Sequence, residues 1–525
     1  MNRRDFVLAT TAASLAVSGA ARGAAPPATF AASAELTLAD IAAAFAEGRL
    51  TSVQLTKTYL ARIAEQNLRG PNLRAILETN PKALEIAAAL DADRAAGRVR
   101  GPLHGVPVLI KDNVETADHM MTTAGSLALE GWYAPQDAPL VARLRSSGAV
   151  ILGKTNLSEW ANFRSTHSIS GWSGRGGQTR NPYALNRTPS GSSSGSAVAV
   201  AANLCAIAVG SETNGSIVSP ASVNGLIGLK PTVGLISRRG MIPISHSQDT
   251  AGPLARCVRD AAVMLGVMAG DDPQDAASAA GAGHFDSDYV RYLDNDGLRG
   301  ARVGVARNFF ADSAPLNRFL DRQVEILRHA GAVIVDPADL PLSPAAGDAQ
   351  LQLLLYEFKA DLNVYLARLP AMFPVHTLAE LIRFNDARAS SELPLFDQEL
   401  LRQADAKGGL GEEAYAQARE TCLTATRSKG IDRLIAEHQL DAIVALTAGP
   451  AWLIDTVNGD YDTGGCSSPA AMAGYPHITV PAGLHAGLPV GLSFFGAAFT
   501  ESKLFKLASG YEHVAQGRVP PQFKS

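Results

Sequence analysis

Gly105-Val106-Pro107-Val108-Leu109-Ile110-Lys111-Asp112-Asn113 sets an apolar run directly against a lysine. Val106 to Ile110 has the length and apolar character of a buried strand, the kind found where helices cover both faces of a sheet. A lysine at the end of such a strand is withdrawn from water. Its ammonium is desolvated, which lowers its pKa and frees the amine to act as a base. Paired with the neighbouring Asp112, the same residue would be a structural ion.

Outward from this strand the chain alternates. Leu38 to Phe45 and Val53 to Ile63 carry apolar residues at three- and four-residue intervals, and Thr51-Ser52 can cap the second run, so both read as helices. Downstream, Ala138 to Arg145 reads as helix, Ala149 to Leu152 as strand, the segment after Ser192 as helix and Cys205 to Val209 as strand. The rhythm continues with Arg302 to Val305, a helix over Leu320 to His329, Ala332 to Val335, Ala442 to Ala445, Ile478 to Val480 and Val490 to Phe494. It predicts an α/β fold with a central sheet covered by helices on both faces. Residues 345–435 depart from it. Their periodicity is helical, interrupted at Lys407-Gly408-Gly409-Leu410-Gly411, and predicts a helical elaboration of the same domain. Ala276 to Gly283, rich in small residues, reads as a loop.

The 525 residues, 46% of them hydrophobic, suffice for a large core. A net charge of -4 gives no basic footprint for nucleic acid, so a small or neutral partner is expected. The four cysteines, Cys205, Cys257, Cys422 and Cys466, lack metal-site spacing and read as buried free thiols; no metal or cofactor is expected. Arg3-Arg4-Asp5-Phe6, followed by the mildly apolar Val7 to Val17 and by Ser18-Gly19-Ala20-Ala21, reads as a twin-arginine export signal. The apolar stretch is too short and too rich in Ala and Thr for a stable membrane anchor. Residues 1–25 are therefore set apart from a domain at 26–525, and the mature protein is expected outside the cytoplasm, in the periplasm.

Two further segments carry chemistry. Pro189-Ser190-Gly191-Ser192-Ser193-Ser194-Gly195-Ser196 is a Gly/Ser loop running into the small-residue helix Ala197 to Ala202. It is either a flexible linker or a surface of amides and hydroxyls held against something fixed. Val209-Gly210-Ser211-Glu212-Thr213-Asn214-Gly215-Ser216-Ile217 ends a strand in a turn that presents a serine beside several backbone N–H groups, as an oxyanion hole requires.

Taken together the three segments resemble the amidase signature family. Its Gly-Val-Pro-…-Lys-Asp motif matches residues 105–112, its Gly-Ser-Ser loop 191–193 and its nucleophile strand 211–217, with Ser192 and Ser216 at the family's separation of 24. Gly153 to Glu159, Gly228 to Gly234 and Gly474 to Pro481 extend the match; Leu157 to Phe163, Ser168 to Pro182 and Ser245 to Pro253 resemble the family's bacterial peptide-amidase branch. The resemblance implies a single large domain around a mixed, twisted sheet and an amidohydrolase that takes ammonia from C-terminally amidated peptides. Ser216 would be the nucleophile, Ser192 the relay behind a cis Gly191-Ser192 bond, and Lys111 the base, with Ser193 and Ser211 in support. Backbone N–H groups of Thr213, Asn214, Gly215 and Ser216 would hold the oxyanion. Other family substrates, namely aryl, fatty or aliphatic amides, remain open. Asn214 stands where the peptide-amidase branch has an acidic residue, and Val218 where many members have arginine.

Other readings compete. Gly191-Ser192-Ser193-Ser194-Gly195 fits a G-x-S-x-G elbow, but the polar, proline-bearing Gln178 to Pro189 is no strand. Gly148 to Thr155 has P-loop spacing, yet Ala149 to Leu152 is itself the apolar strand. His104, His246 and His477 lack a carboxylate at triad spacing and read as structural. Met120-Met121, Trp160 and Phe163 fit a pocket wall and a core equally. An amidotransferase component serving a cytoplasmic partner conflicts with the export signal.

Overall fold

The protein is described by a computed structural model covering residues 35–524, apart from 311, 341 and 462. The twin-arginine segment and the boundary at residue 26 lie outside the described residues. Leu38–Ala46 and Ser52–Gln66 form the two opening helices. Thr37 and Thr51 cap them, each accepting the N3 amide while Asp40 or Gln54 reaches back to the cap, so that two orphan donors are satisfied at each start.

The strands follow in chain order: β1 (Ile76–Thr79), β2 (Pro107–Lys111), β3 (Val150–Thr155), a small hairpin of β4 (Trp172–Ser173) and β5 (Gly177–Gln178), and β6 (Ile207–Glu212). Then come β7 (Ile227–Lys230), β8 (Thr250–Ala255), β9 (Arg302–Val305), β10 (Val333–Val335), β11 (Ala442–Leu446), β12 (His477–His485) and β13 (Leu488–Phe495). Eleven of them make one sheet in the order β1-β3-β2-β6-β8-β7-β12-β13-β11-β9-β10. It is mixed: β3, β2 and β6 run parallel, as do β11, β9 and β10, and the intervening pairs are antiparallel. Helices surround it; Ser194–Ala201 packs on β2, β3 and β6, Val258–Met268 on β8, and Glu501–Ala515 on β12 and β13. The small-residue segment at 276–283, expected as a loop, contains the short helix Ser278–Gly281.

Two features of the sheet place the site. Val108 faces Ile207 and Ile110 faces Val209 across the parallel β2 and β6, so Lys111 and Ser211 emerge side by side at their carboxyl ends. Open α/β sheets place their ligands at this edge. The loop holding Ser192 is pinned by the close approach of the following helix. A Cβ on Gly195 would lie 2.2 Å from the Ala75 carbonyl oxygen and 2.6 Å from the Asn156 nitrogen, so only glycine fits.

The elaboration comprises Pro344–Leu366, Leu378–Ala387, Ala389–Glu392, Glu399–Asp405, Glu413–Thr426 and Asp432–His438. Leu355, Phe358 and Leu362 bury themselves against Trp160, Phe163 and Ile244 of the main domain. Trp160 and Phe163 thus belong to the core that joins the two layers. One charge cluster is enclosed in this seam. Arg164 is buried between the rings of Trp172 and Phe396, 5.0 and 4.2 Å from their centroids, touches Glu159 and donates to the Glu392 carbonyl at 2.7 Å. Burial pushes the pKa of both Glu159 and Glu392 up.

Removing one partner of a buried ion pair leaves an uncompensated charge. Arg164→Ala is therefore expected to cost about 3–5 kcal/mol, read by urea denaturation. A loss below about 1 kcal/mol would mean that apolar contact alone holds the helical layer.

Candidate active site

Lys111 is fully buried and forms no ion pair among the described residues. Its Nζ lies 2.8 Å from Ser192 Oγ, 2.9 Å from Ser211 Oγ and 3.1 Å from the Ser211 carbonyl oxygen. Burial lowers its pKa to about 7, the negative charges of Asp249 and Glu212 opposing the fall. Close to neutrality the amine therefore exists both with and without its proton. Asp112, which could have neutralised it, turns elsewhere: it accepts from the Thr123 hydroxyl and amide and lies 3.7 Å from both Lys154 and Arg175.

Around the lysine the serines are tied to one another. Ser193 Oγ donates to the Ser211 carbonyl at 3.0 Å and accepts the Ser211 N–H at 3.2 Å. Asn113 Nδ2 donates to Ser211 Oγ at 3.0 Å, a contact that sequence reasoning did not anticipate. The Gly191-Ser192 peptide bond is cis. A Cβ on Gly191 would lie 2.2 Å from Ser158 Oγ, so a side chain there would displace the Ser158 hydroxyl, and the Ser158 N–H donates to the Ser192 carbonyl at 3.1 Å.

The turn carrying Ser216 is organised by Glu212, whose role was not read from the sequence although it lies in the quoted motif. Its buried carboxylate accepts N–H bonds from Gly215 at 2.8 Å, Ile217 at 2.7 Å and Val218 at 3.1 Å. The last two precede or open the helix Val218–Val223, so the carboxylate also meets the positive end of that helix. The Gly215 N–H is thereby occupied, which departs from the expectation of four available donors. Among the described residues the N–H groups of Thr213, Asn214 and Ser216 have no acceptor. The Ser193 N–H donates to the Ser216 carbonyl at 3.1 Å, which brings the two serine segments together; no hydrogen bond joins Ser192 Oγ to Ser216 Oγ among the described residues.

The flanking side chains brace this turn. Thr213 Oγ1 donates to the buried Asp249 at 2.5 Å, and Asp249 also accepts from the Ile244 and Ser245 amides; its burial raises its pKa to about 6. Asn214 Nδ2 donates to Gln350 and Ser468, each at 3.1 Å, and its oxygen accepts from Ser467 at 2.7 Å. Gln350 comes from the helical elaboration, which thus reaches the turn carrying Ser216 directly.

Other candidates go elsewhere. Lys154 is buried within β3 and donates to the Val114 carbonyl and Thr122 hydroxyl at 2.7 and 2.8 Å, so the P-loop spacing is coincidental. Ser193, the alternative elbow nucleophile, is buried and committed to Ser211. His104 Nε2 bonds the Leu90 carbonyl oxygen, and His477 is buried against Ser493 with its pKa lowered to about 3. His246 has partners that no local spacing conveys: Asp361 lies 2.9 Å and Glu357 3.2 Å away, carboxylates more than a hundred positions distant in the chain. Met120 is buried, and the four cysteines are free thiols.

The family model described as Amidase matches residues 54–505. The chain is 42% identical over 498 residues to a probable amidase of Arabidopsis thaliana, covering 93% of this chain and 92% of the relative. It is 37% identical over 509 residues to one component of the glutamyl-tRNA(Gln) amidotransferase of Roseiflexus sp., covering 91% and 96%. The solved structure of native peptide amidase from Stenotrophomonas maltophilia matches with a TM-score of 0.89 and 53% identity, over 94% of this chain and 99% of that one. A family match over most of the chain, with relatives that share nearly its whole length, establishes that this protein belongs to the amidase family and is an amidase.

Proposed function

We propose that this amidase hydrolyses the carboxamide of C-terminally amidated peptides and releases ammonia, with Ser216 as nucleophile, Ser192 as relay and Lys111 as base. The observation that carries the reading is Lys111 itself, a buried amine with no ion-pair partner and a serine hydroxyl at 2.8 Å. In its neutral form Lys111 accepts the Ser192 proton while Ser192 accepts that of Ser216, whose Oγ attacks the amide carbonyl. The N–H groups of Thr213, Asn214 and Ser216 receive the developing oxyanion; a single such donor is typically worth about 3 kcal/mol. The relay then returns its proton to the leaving nitrogen as the C–N bond breaks. Ammonia departs, and water cleaves the acyl ester by the same route. The separated Ser192 and Ser216 hydroxyls are expected to draw together around bound substrate, as catalytic hydrogen bonds often do.

The choice of peptide amides is supported by the 53% identity with a peptide amidase, against 37% with an amidotransferase component. Asn214 in place of an acidic residue keeps the backbone donor and removes a charge beside the leaving group, so it bears on substrate preference. Export through the twin-arginine route, with work in the periplasm, is part of the same proposal and rests on Arg3 and Arg4.

Purified wild-type protein is expected to release ammonia from a short C-terminally amidated peptide. Ser216→Ala and Lys111→Met should each lower the rate by about 10⁴ or more. Undiminished release from Ser216→Ala would sink the mechanism; turnover of aryl or aliphatic amides alone would discard the substrate. Because the neutral amine is the active form and its pKa is near 7, kcat/KM should rise with pH to a plateau above that value. On the acid side it should fall about tenfold per unit. A profile flat from about pH 5 to 9 contradicts a lysine base. Arg3→Lys with Arg4→Lys should hold the full-length chain in the cytoplasm of its host, whereas unchanged export would refute the signal.

A further inference from the structure

A cavity of about 730 Å³ lies among the helices Glu413–Thr426 and Ser467–Ala473 and the small-residue segment at 276–283. Its lining includes none of Lys111, Ser192 or residues 213–216. Such a volume is typical of small-molecule sites. Leu353, Cys422 and Met472 pack together as an apolar floor, and Ala276, Ala277 and Phe499 line it as well. The alanine-rich segment that carried no chemistry in the sequence is therefore part of its wall.

The charges around the cavity are one-sided. Arg238, His246, Arg419 and Arg427 line it, and no carboxylate does. Two of the four are compensated from behind: Arg238 by Asp275, and His246 by Asp361 and Glu357. Arg427 spends Nε and Nη2 on the Ala473 carbonyl and lies over the Tyr475 ring, and among the described residues it pairs with no carboxylate. Arg419 makes no hydrogen bond or ion pair among the described residues. Two uncompensated, exposed guanidinium groups thus border an apolar floor. A ligand with an apolar body and a carboxylate head meets both demands.

The elements that line the cavity also hold the reactive turn. Gln350, one helical turn before Leu353, and Ser468, one turn before Met472, both accept from Asn214. Gln248, next to Ser247 of the lining, donates to the Thr213 carbonyl at 3.3 Å. We propose that this cavity, whose lining excludes Lys111, Ser192 and Ser216, is an effector site for amphipathic carboxylates, and that its occupancy acts on catalysis through the residues that hold Thr213 and Asn214.

The probe is 4-phenylbutyrate, with 4-phenylbutanol as its uncharged counterpart. By calorimetry about one equivalent of the acid should bind to wild type and to Ser216→Ala alike, and the alcohol should bind at least about tenfold more weakly. In wild type the acid should change kcat by at least about twofold with KM unaltered. Arg419→Gln with Arg427→Gln, both exposed and outside the reactive machinery, should lose binding and the kcat effect while keeping basal turnover. Absence of binding at about 10 mM acid overturns the proposal. Binding retained in the double variant, or kcat unmoved at saturation, overturns it equally. The binding arm needs no turnover, so its failure is distinct from a failure of the assignment to Ser216.

Discussion

Burying an ammonium group without a counter-ion in contact is the constraint on which the proposed reactive centre turns. Such a charge costs several kcal/mol unless it is paired or loses its proton, and among the described residues Lys111 Nζ hydrogen-bonds only to hydroxyl and carbonyl oxygens. The protein answers at a distance. The negative charges of Asp249 and Glu212 oppose the fall in pKa that burial causes. Each also has a structural task, Asp249 holding Thr213 and Glu212 gathering the amides of Gly215, Ile217 and Val218. The residues that tune the amine are the residues that shape the turn, so reactivity and geometry are set together.

The sheet makes that arrangement possible. Two adjacent parallel strands bring Lys111 and Ser211 into contact at their carboxyl ends, and the Ser194–Ala201 helix, pressed on both strands, fixes the loop with Ser192. The helical layer completes the turn from outside through Gln350 and is fastened by the Trp160 and Phe163 core and by Arg164.

Much of this was legible in the chain. The strand ending at Lys111, the strands at 302–305 and 442–446, and the capped second helix followed from apolar periodicity and cap chemistry. β7 and β8 escaped notice because their glycine, proline and threonine content hides a buried strand, and β1 is short with a polar half. At the site, the roles proposed for Lys111, Ser192, Ser211 and Ser216 came from the resemblance to the amidase signature family, whose motifs and 24-residue serine separation the chain carries. Glu212, Asn113 and Asp249 were not assigned roles, since a carboxylate gathering nearby amides looks like any polar turn until the backbone is folded. The partners of His246 and of Asn214 come from residues more than a hundred positions away, a distance no local pattern conveys.

Neutral Lys111 is the claim that binds the fold to the chemistry, and its ionisation is directly measurable. Protein with ¹⁵Nζ-labelled lysine, titrated by NMR with Lys111→Met to assign the resonance, should show one side-chain nitrogen changing state at pH about 7. A Lys111 signal that stays protonated to about pH 10, the ordinary lysine range, would contradict the account.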